Sequence, residues 1–153
     1  MSSRGSEAVS ADTDVYKDVV QASPADIVST LTDFEHYTEW QSGMLDCTVK
    51  ERDEQGRGSL VEFYVDAKIK KIRYTVRYFY QLDEGTMGWD YVDGDLKECT
   101  GRYQFTPTED GATEVAIDIV TETGFFVPGP MKKLIRDQSL KNSMRDLKRR
   151  VGG

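Results

Sequence analysis

The chain has 153 residues, of which 38% are hydrophobic, 10% aromatic and 31% charged. That is one domain's length with enough apolar material for a core, which excludes a chain disordered throughout. No apolar run approaches the roughly 18 residues that a membrane-spanning helix needs.

Residues Met1–Asp12 are Ser, Gly, Ala and charged residues without an apolar stretch, so they read as a disordered tail and not as a secretory signal. The folded domain is expected over residues 13–151, in the reducing cytoplasm. Two cysteines, Cys47 and Cys99, make no disulfide framework, and the absence of a CxxC or Cys/His cluster argues against a metal. Both are expected as free thiols.

Net charge is −7, unevenly spread. Met131–Val151 holds eight basic residues against Asp137 and Asp146, a net +6, which leaves −13 on the rest. An acidic body argues against DNA as a partner. The basic segment reads as a solvated helix face with cations near the helix C-terminus. Contact with a ribosome or an anionic surface is the alternative.

In chain order, Asp14–Gln21 reads as a strand. Ser23, Pro24 and Asp26 then form a helix start: an N-cap, a first-turn proline and an acid at the positive end of the dipole. Ile27, Val28 and Leu31 give this helix an apolar side. Asp33–Trp40 reads as a second short helix.

From Cys47 onward the period is two. Val61, Phe63, Val65 and Ala67 share one face of a strand; Ile72, Tyr74, Val76, Tyr78 and Tyr80 share one face of the next. Met87, Trp89 and Tyr91 follow, then Cys99, Gly101, Tyr103 and Phe105, then Val115, Ile117 and Ile119. The turns between them carry Gly and Asp, as in Asp53–Gly58, Asp83–Gly85, Asp93–Asp95 and Pro107–Gly111. This is an antiparallel meander with one wet face.

Pro130 opens a terminal helix of about twenty residues. Its apolar residues fall on two nearly opposite faces, Met131, Leu134 and Ile135 on one, Leu140, Met144, Leu147 and Val151 on the other. Either it breaks near Asp137–Ser139 or its halves pack on different neighbours. The second half is expected to cover the sheet and the first to meet the loops.

A twisted sheet of this size curls, and the terminal helix is the long amphipathic element available to cover it. A cavity is expected between sheet and helix, because the inner face is rich in tyrosine where a filled core would favour aliphatics. The expected ligand-binding residues are Trp40, Phe63, Tyr74, Val76, Tyr78, Trp89, Tyr91, Tyr103 and Ile117.

Ser23, Pro24, Leu31, Asp33, Tyr37 and Trp40, with Trp89, Gly101, Tyr103 and Phe105, Gly111–Val115, Val127–Gly129 and Ser139–Leu140 with Leu147–Lys148 downstream, resemble the START-like (SRPBCC) superfamily. The resemblance is closest to its polyketide cyclase/dehydrase and coenzyme Q-binding group. Thr38 stands where that group commonly has proline. The resemblance implies an α+β helix-grip fold: a curled antiparallel sheet around a long C-terminal helix, with two short helices after the first strand. It also implies a small hydrophobic or aromatic ligand (lipid, quinone or polyketide-like). No P-loop or dinucleotide fingerprint occurs in the sequence, and no cofactor is expected. Two alternatives are a polyketide aromatase/cyclase or dehydratase, and an interaction module resembling the ribosome association toxin.

A cyclase must fold its chain, polarise a carbonyl and move a proton. Tyr78 and Arg102 are the candidates. Strand alternation points Arg102 away from the inner face unless a bulge near Gly101 turns it. The single histidine, His36, reads as a solvent-facing residue among Glu35, Tyr37 and Glu39.

Overall fold

The computed structural model describes residues 14–152; the expected tail, Met1–Asp12, lies outside them. Strand β1 (Asp14–Val20) leads into helix α1 (Pro24–Leu31) and a short 3-10 helix (Phe34–Glu39). Six strands follow: β2 (Met44–Arg52), β3 (Gly58–Asp66), β4 (Lys71–Gln81), β5 (Thr86–Gly94), β6 (Glu98–Pro107) and β7 (Thr113–Glu122). Helix α2 (Gly129–Gly152) ends the fold.

Helix α1 starts where the sequence places it. The Ser23 hydroxyl accepts from the Asp26 amide at 3.2 Å and Pro24 fills the first turn. Asp33–Trp40 coils as the tighter 3-10 form, over Phe34–Glu39, and buries Phe34 and Tyr37.

The strands form one antiparallel sheet in the order β1-β7-β6-β5-β4-β3-β2. Strands β2 to β7 are sequence neighbours joined by turns; β1 returns to pair with β7. Register shifts interrupt β2–β3 and, between Thr75 and Val76, β4–β5. Such bulges add twist and curl the sheet. Its concave face carries Val61, Val76, Met87, Phe105, Val115 and Ile117, all buried.

Helix α2 runs 24 residues without a break. Leu140, Met144 and Leu147 are buried against the core, whereas Met131 and Leu134 are exposed. The second half thus covers the sheet as expected. The first half is helical through Asp137–Ser139 and leaves its apolar face largely in water, with Ile135 half-buried. The preceding loop buries Val127, exposes Phe126 and sets Phe125 beneath Lys70, 4.7 Å from the ring centroid. Cys47 and Cys99 are both free.

Candidate functional site

Alternation in β3 to β7 brings one aromatic side chain after another onto the concave face. Phe63 pairs with Tyr74, Tyr78 with Trp89, Trp89 with Gly101, and Tyr103 with Ile117. The rings meet: Phe63–Tyr74 at 5.6 Å, Tyr78–Trp89 at 5.8 Å and Trp89–Tyr103 at 5.8 Å between centroids. Spacings of this size suit tilted and edge-on aromatic contacts.

The packing stops short of filling the space under α2. A cavity of about 120 Å³ remains. The sheet supplies Phe63, Tyr74, Tyr78, Trp89, Tyr103 and Ile117. Half-buried Gln41, Met44, Ile119 and Ser143 complete the lining, with Tyr37 from the 3-10 helix.

Hydroxyl partners divide the tyrosines into two sets. Tyr37 donates to the Leu31 carbonyl, Tyr80 to that of Gly58 at 2.6 Å and Tyr91 to that of Leu96 at 2.6 Å. The hydroxyls of Tyr74, Tyr78 and Tyr103 have no hydrogen-bond partner among the described residues, and none of these oxygens is sealed inside the packing. Tyr78 is only 8% exposed. Three hydroxyls in a largely aromatic hollow, each open to a hydrogen bond from a guest, suit a site that orients a small molecule.

Burial governs the electrostatics. It holds the phenols of Tyr37, Tyr74, Tyr78 and Tyr103 well above the ordinary tyrosine value, so they stay protonated donors. Burial also lifts the Cys47 thiol to about 12 and the Cys99 thiol to about 11, which leaves neither as a nucleophile near neutrality. No charged side chain lines the cavity among the described residues. Nor do three or more His, Cys, Asp and Glu side chains gather among them as a metal site would require.

A second hollow, about 540 Å³ and wide open to solvent, lies at the sheet's end among Lys70, Asp95, Leu96, Lys97, Gly124 and Phe125. Its lining is mostly polar loop, and it brings no buried hydroxyls together. The cavity under α2 is the better enclosed of the two, and it holds the unmatched groups.

The sequence profile of the polyketide cyclase/dehydrase and lipid transport family matches residues 12–152. The chain belongs to this family. Solved structures agree with the membership. A START superfamily protein from Mycobacterium smegmatis is 25% identical, with a TM-score of 0.83 over 92% of this chain and 97% of the other. The Zhui aromatase/cyclase from a Streptomyces is 12% identical, with a TM-score of 0.77 over 92% of this chain and 93% of that one. A Thermus thermophilus protein is 18% identical at a TM-score of 0.77, over 91% and 96%. The last two establish likeness of fold. No curated protein sequence matches this one. The polyketide cyclase/dehydrase and lipid transport family and its START-like helix-grip fold support a ligand-binding or cyclase role.

Within this family member, six of the nine expected ligand-binding residues line the cavity: Phe63, Tyr74, Tyr78, Trp89, Tyr103 and Ile117. Three lie elsewhere. Val76 is wholly buried in the core. The Tyr91 hydroxyl is committed to Leu96, and Trp40 packs edge-on against Tyr37 at 5.3 Å, behind the lining. Arg102 stays where strand alternation points it. Strand β6 pairs in unbroken register on both sides, Arg102 facing Gly88 and Asp118, so no bulge turns it and it stays exposed on the convex face.

His36 is likewise exposed and paired with Asp33 at 2.7 Å, whose hydrogen bond and charge raise its pKa. Tyr37, Gln41, Met44, Ile119 and Ser143 line the cavity outside the expected nine. Ile119 shares the strand face of Ile117, whereas Gln41, Met44 and Ser143 come from a turn, a strand start and a helix, where alternation of period two carries no information. The Tyr37-x-x-Trp40 motif is the available signal for Tyr37.

Proposed function

We propose that this protein binds a small hydrophobic or aromatic molecule, of the lipid, quinone or polyketide-like kind, in the cavity between the sheet and α2. The observation that carries this reading is the trio of Tyr74, Tyr78 and Tyr103 hydroxyls, unmatched among the described residues, in a hollow otherwise lined mostly with rings and aliphatic groups. Burial of the ligand's apolar surface drives binding at about 25 cal/mol per Å², and the hydroxyls orient it.

The same family and fold include aromatase/cyclases, and Zhui shares the fold. Closing a polyketide ring requires a base as well as a carbonyl polariser. The tyrosines supply the polariser. Among the described residues the lining holds no carboxylate or imidazole, the phenols are held protonated, and Arg102 lies on the far face. These observations favour carriage over catalysis.

A polyanion-docking role for the basic helix draws less support. Lys133 pairs with Asp137, Arg145 with Asp146, Lys148 with Asp18 and Arg150 with Glu39, so these cations are engaged within the fold.

Native mass spectrometry of the protein purified from its own host tests the proposal. A co-purified small molecule is expected, lost in Tyr78→Leu and Trp89→Ala and retained in Arg77→Ala. Equal loss in all three at matched thermal stability overturns it.

A further inference from the structure

The class of ligand follows from three properties of the cavity, given that the cavity is the binding site proposed above. The first is size. The space is about 120 Å³, and a cavity on the order of 150 Å³ accommodates benzene. The part of the ligand that enters is therefore about one aromatic ring across. Trp89, flanked by Tyr78 and Tyr103 at 5.8 Å on either side, provides walls for such a ring.

The second property is charge. The lining contains no cation and no anion among the described residues. A carboxylate entering this space would lose its hydration and find no opposite charge, a cost that phenol donors offset only in part.

The third is the sense of the hydrogen bonds. Tyr74, Tyr78 and Tyr103 each hold a proton with no protein acceptor among the described residues, because burial keeps the phenols neutral. The Gln41 amide and the Ser143 hydroxyl add further groups that can donate or accept. A saturated hydrocarbon would leave every one of them unmatched.

From these together we infer that the bound group is an uncharged single-ring aromatic carrying an oxygen, an aryl carbonyl being the simplest case, which hydrogen-bonds with the tyrosine hydroxyls of the lining. Carboxylates, fatty acids among them, are rejected by this site, and plain hydrocarbons are held only by burial.

Three probes of nearly equal size separate the elements of this inference in calorimetric titrations of the full chain. Acetophenone is neutral with a carbonyl, ethylbenzene is neutral without one, and benzoate is an anion. Acetophenone is expected to bind about tenfold more tightly than ethylbenzene, as one or two hydrogen bonds with the tyrosine hydroxyls imply, and benzoate more weakly than either. In Tyr78→Phe and Tyr103→Phe the advantage of acetophenone falls toward parity, while ethylbenzene affinity is unchanged; that unchanged value also shows the variants to be folded. Equal affinity for acetophenone and ethylbenzene in the wild-type protein overturns the oxygen assignment and leaves the binding reading intact. Tighter binding of benzoate overturns the exclusion of anions. Failure of all three to bind overturns this inference together with the proposed function.

Discussion

Gly101 lacks a side chain because the indole of Trp89 lies where one would stand. The two residues are partners across β5 and β6, and a methyl group on Gly101 would overlap the six-membered edge of the ring. The bare backbone lets the indole lie down on β6, where it meets Tyr103. Gly101→Ala forces Trp89 up into the cavity or the strands apart. Overpacking of this kind costs about 1–3 kcal/mol. The melting temperature should fall, and the near-ultraviolet dichroism of the tryptophan should change. Wild-type values for both would mean that the indole does not occupy that place.

Strand alternation made the inner face legible at this scale, because a period of two leaves no freedom about which side Tyr78 or Tyr103 takes. Depth along the strand is a different matter. Val76 and Tyr91 share the face with the lining residues, yet one sits under the core and the other spends its hydroxyl on Leu96. Gly101 itself was legible only as a candidate bulge; that it makes room for a ring depends on the neighbouring strand.

Helix α2 shows the same division between what a pattern states and what packing decides. Its two apolar stripes are evident in the sequence, and so is their incompatibility with one buried face. An uninterrupted backbone resolves the conflict by leaving the first stripe in water. Leu147 is 2% exposed and Leu134 is 66% exposed, though both are leucines in one helix. Leu147→Ala removes buried methyls and leaves a void, at a cost of about 2–5 kcal/mol. Leu134→Ala should change stability by no more than about 0.5 kcal/mol. Urea denaturation followed by circular dichroism distinguishes the two. Similar midpoints would show that the C-terminal half of α2 is not part of the core. The helix start at Ser23 and the meander of β2 to β7 were fully legible, since capping and alternation are local. The return of β1 to pair with β7 is a long-range choice that neither local signal encodes.

Over the whole molecule, polar fastenings hold α2 to the rest at its C-terminal half. Buried Asp146 accepts from the Ser42 amide at 2.8 Å, Arg150 meets Glu39 at 3.1 Å, and Lys148 meets Asp18 of β1 at 2.5 Å. Lys133 pairs with Asp137 within the helix itself. The Lys148–Asp18 fastening can be followed by pH. Burial by itself would raise the Asp18 pKa, but the hydrogen bond from Lys148 and the Val19 amide outweigh it, and the carboxyl titrates below its ordinary 3.8. A carboxyl depressed on folding stabilises the native state above its unfolded pKa, and that contribution is lost as pH falls through the lower, folded value. Lys148→Met should therefore lower the melting temperature near neutrality by only a few degrees, since a largely exposed pair contributes about 0.2–1 kcal/mol. The gap from wild type should close on acidification below 3.8. His36, whose raised pKa works in the opposite sense at higher pH, is present in both proteins and cancels from the difference. A gap that persists undiminished into acid would mean that Lys148 stabilises the helix by packing of its stem, and that charge plays no part in fastening α2 to β1.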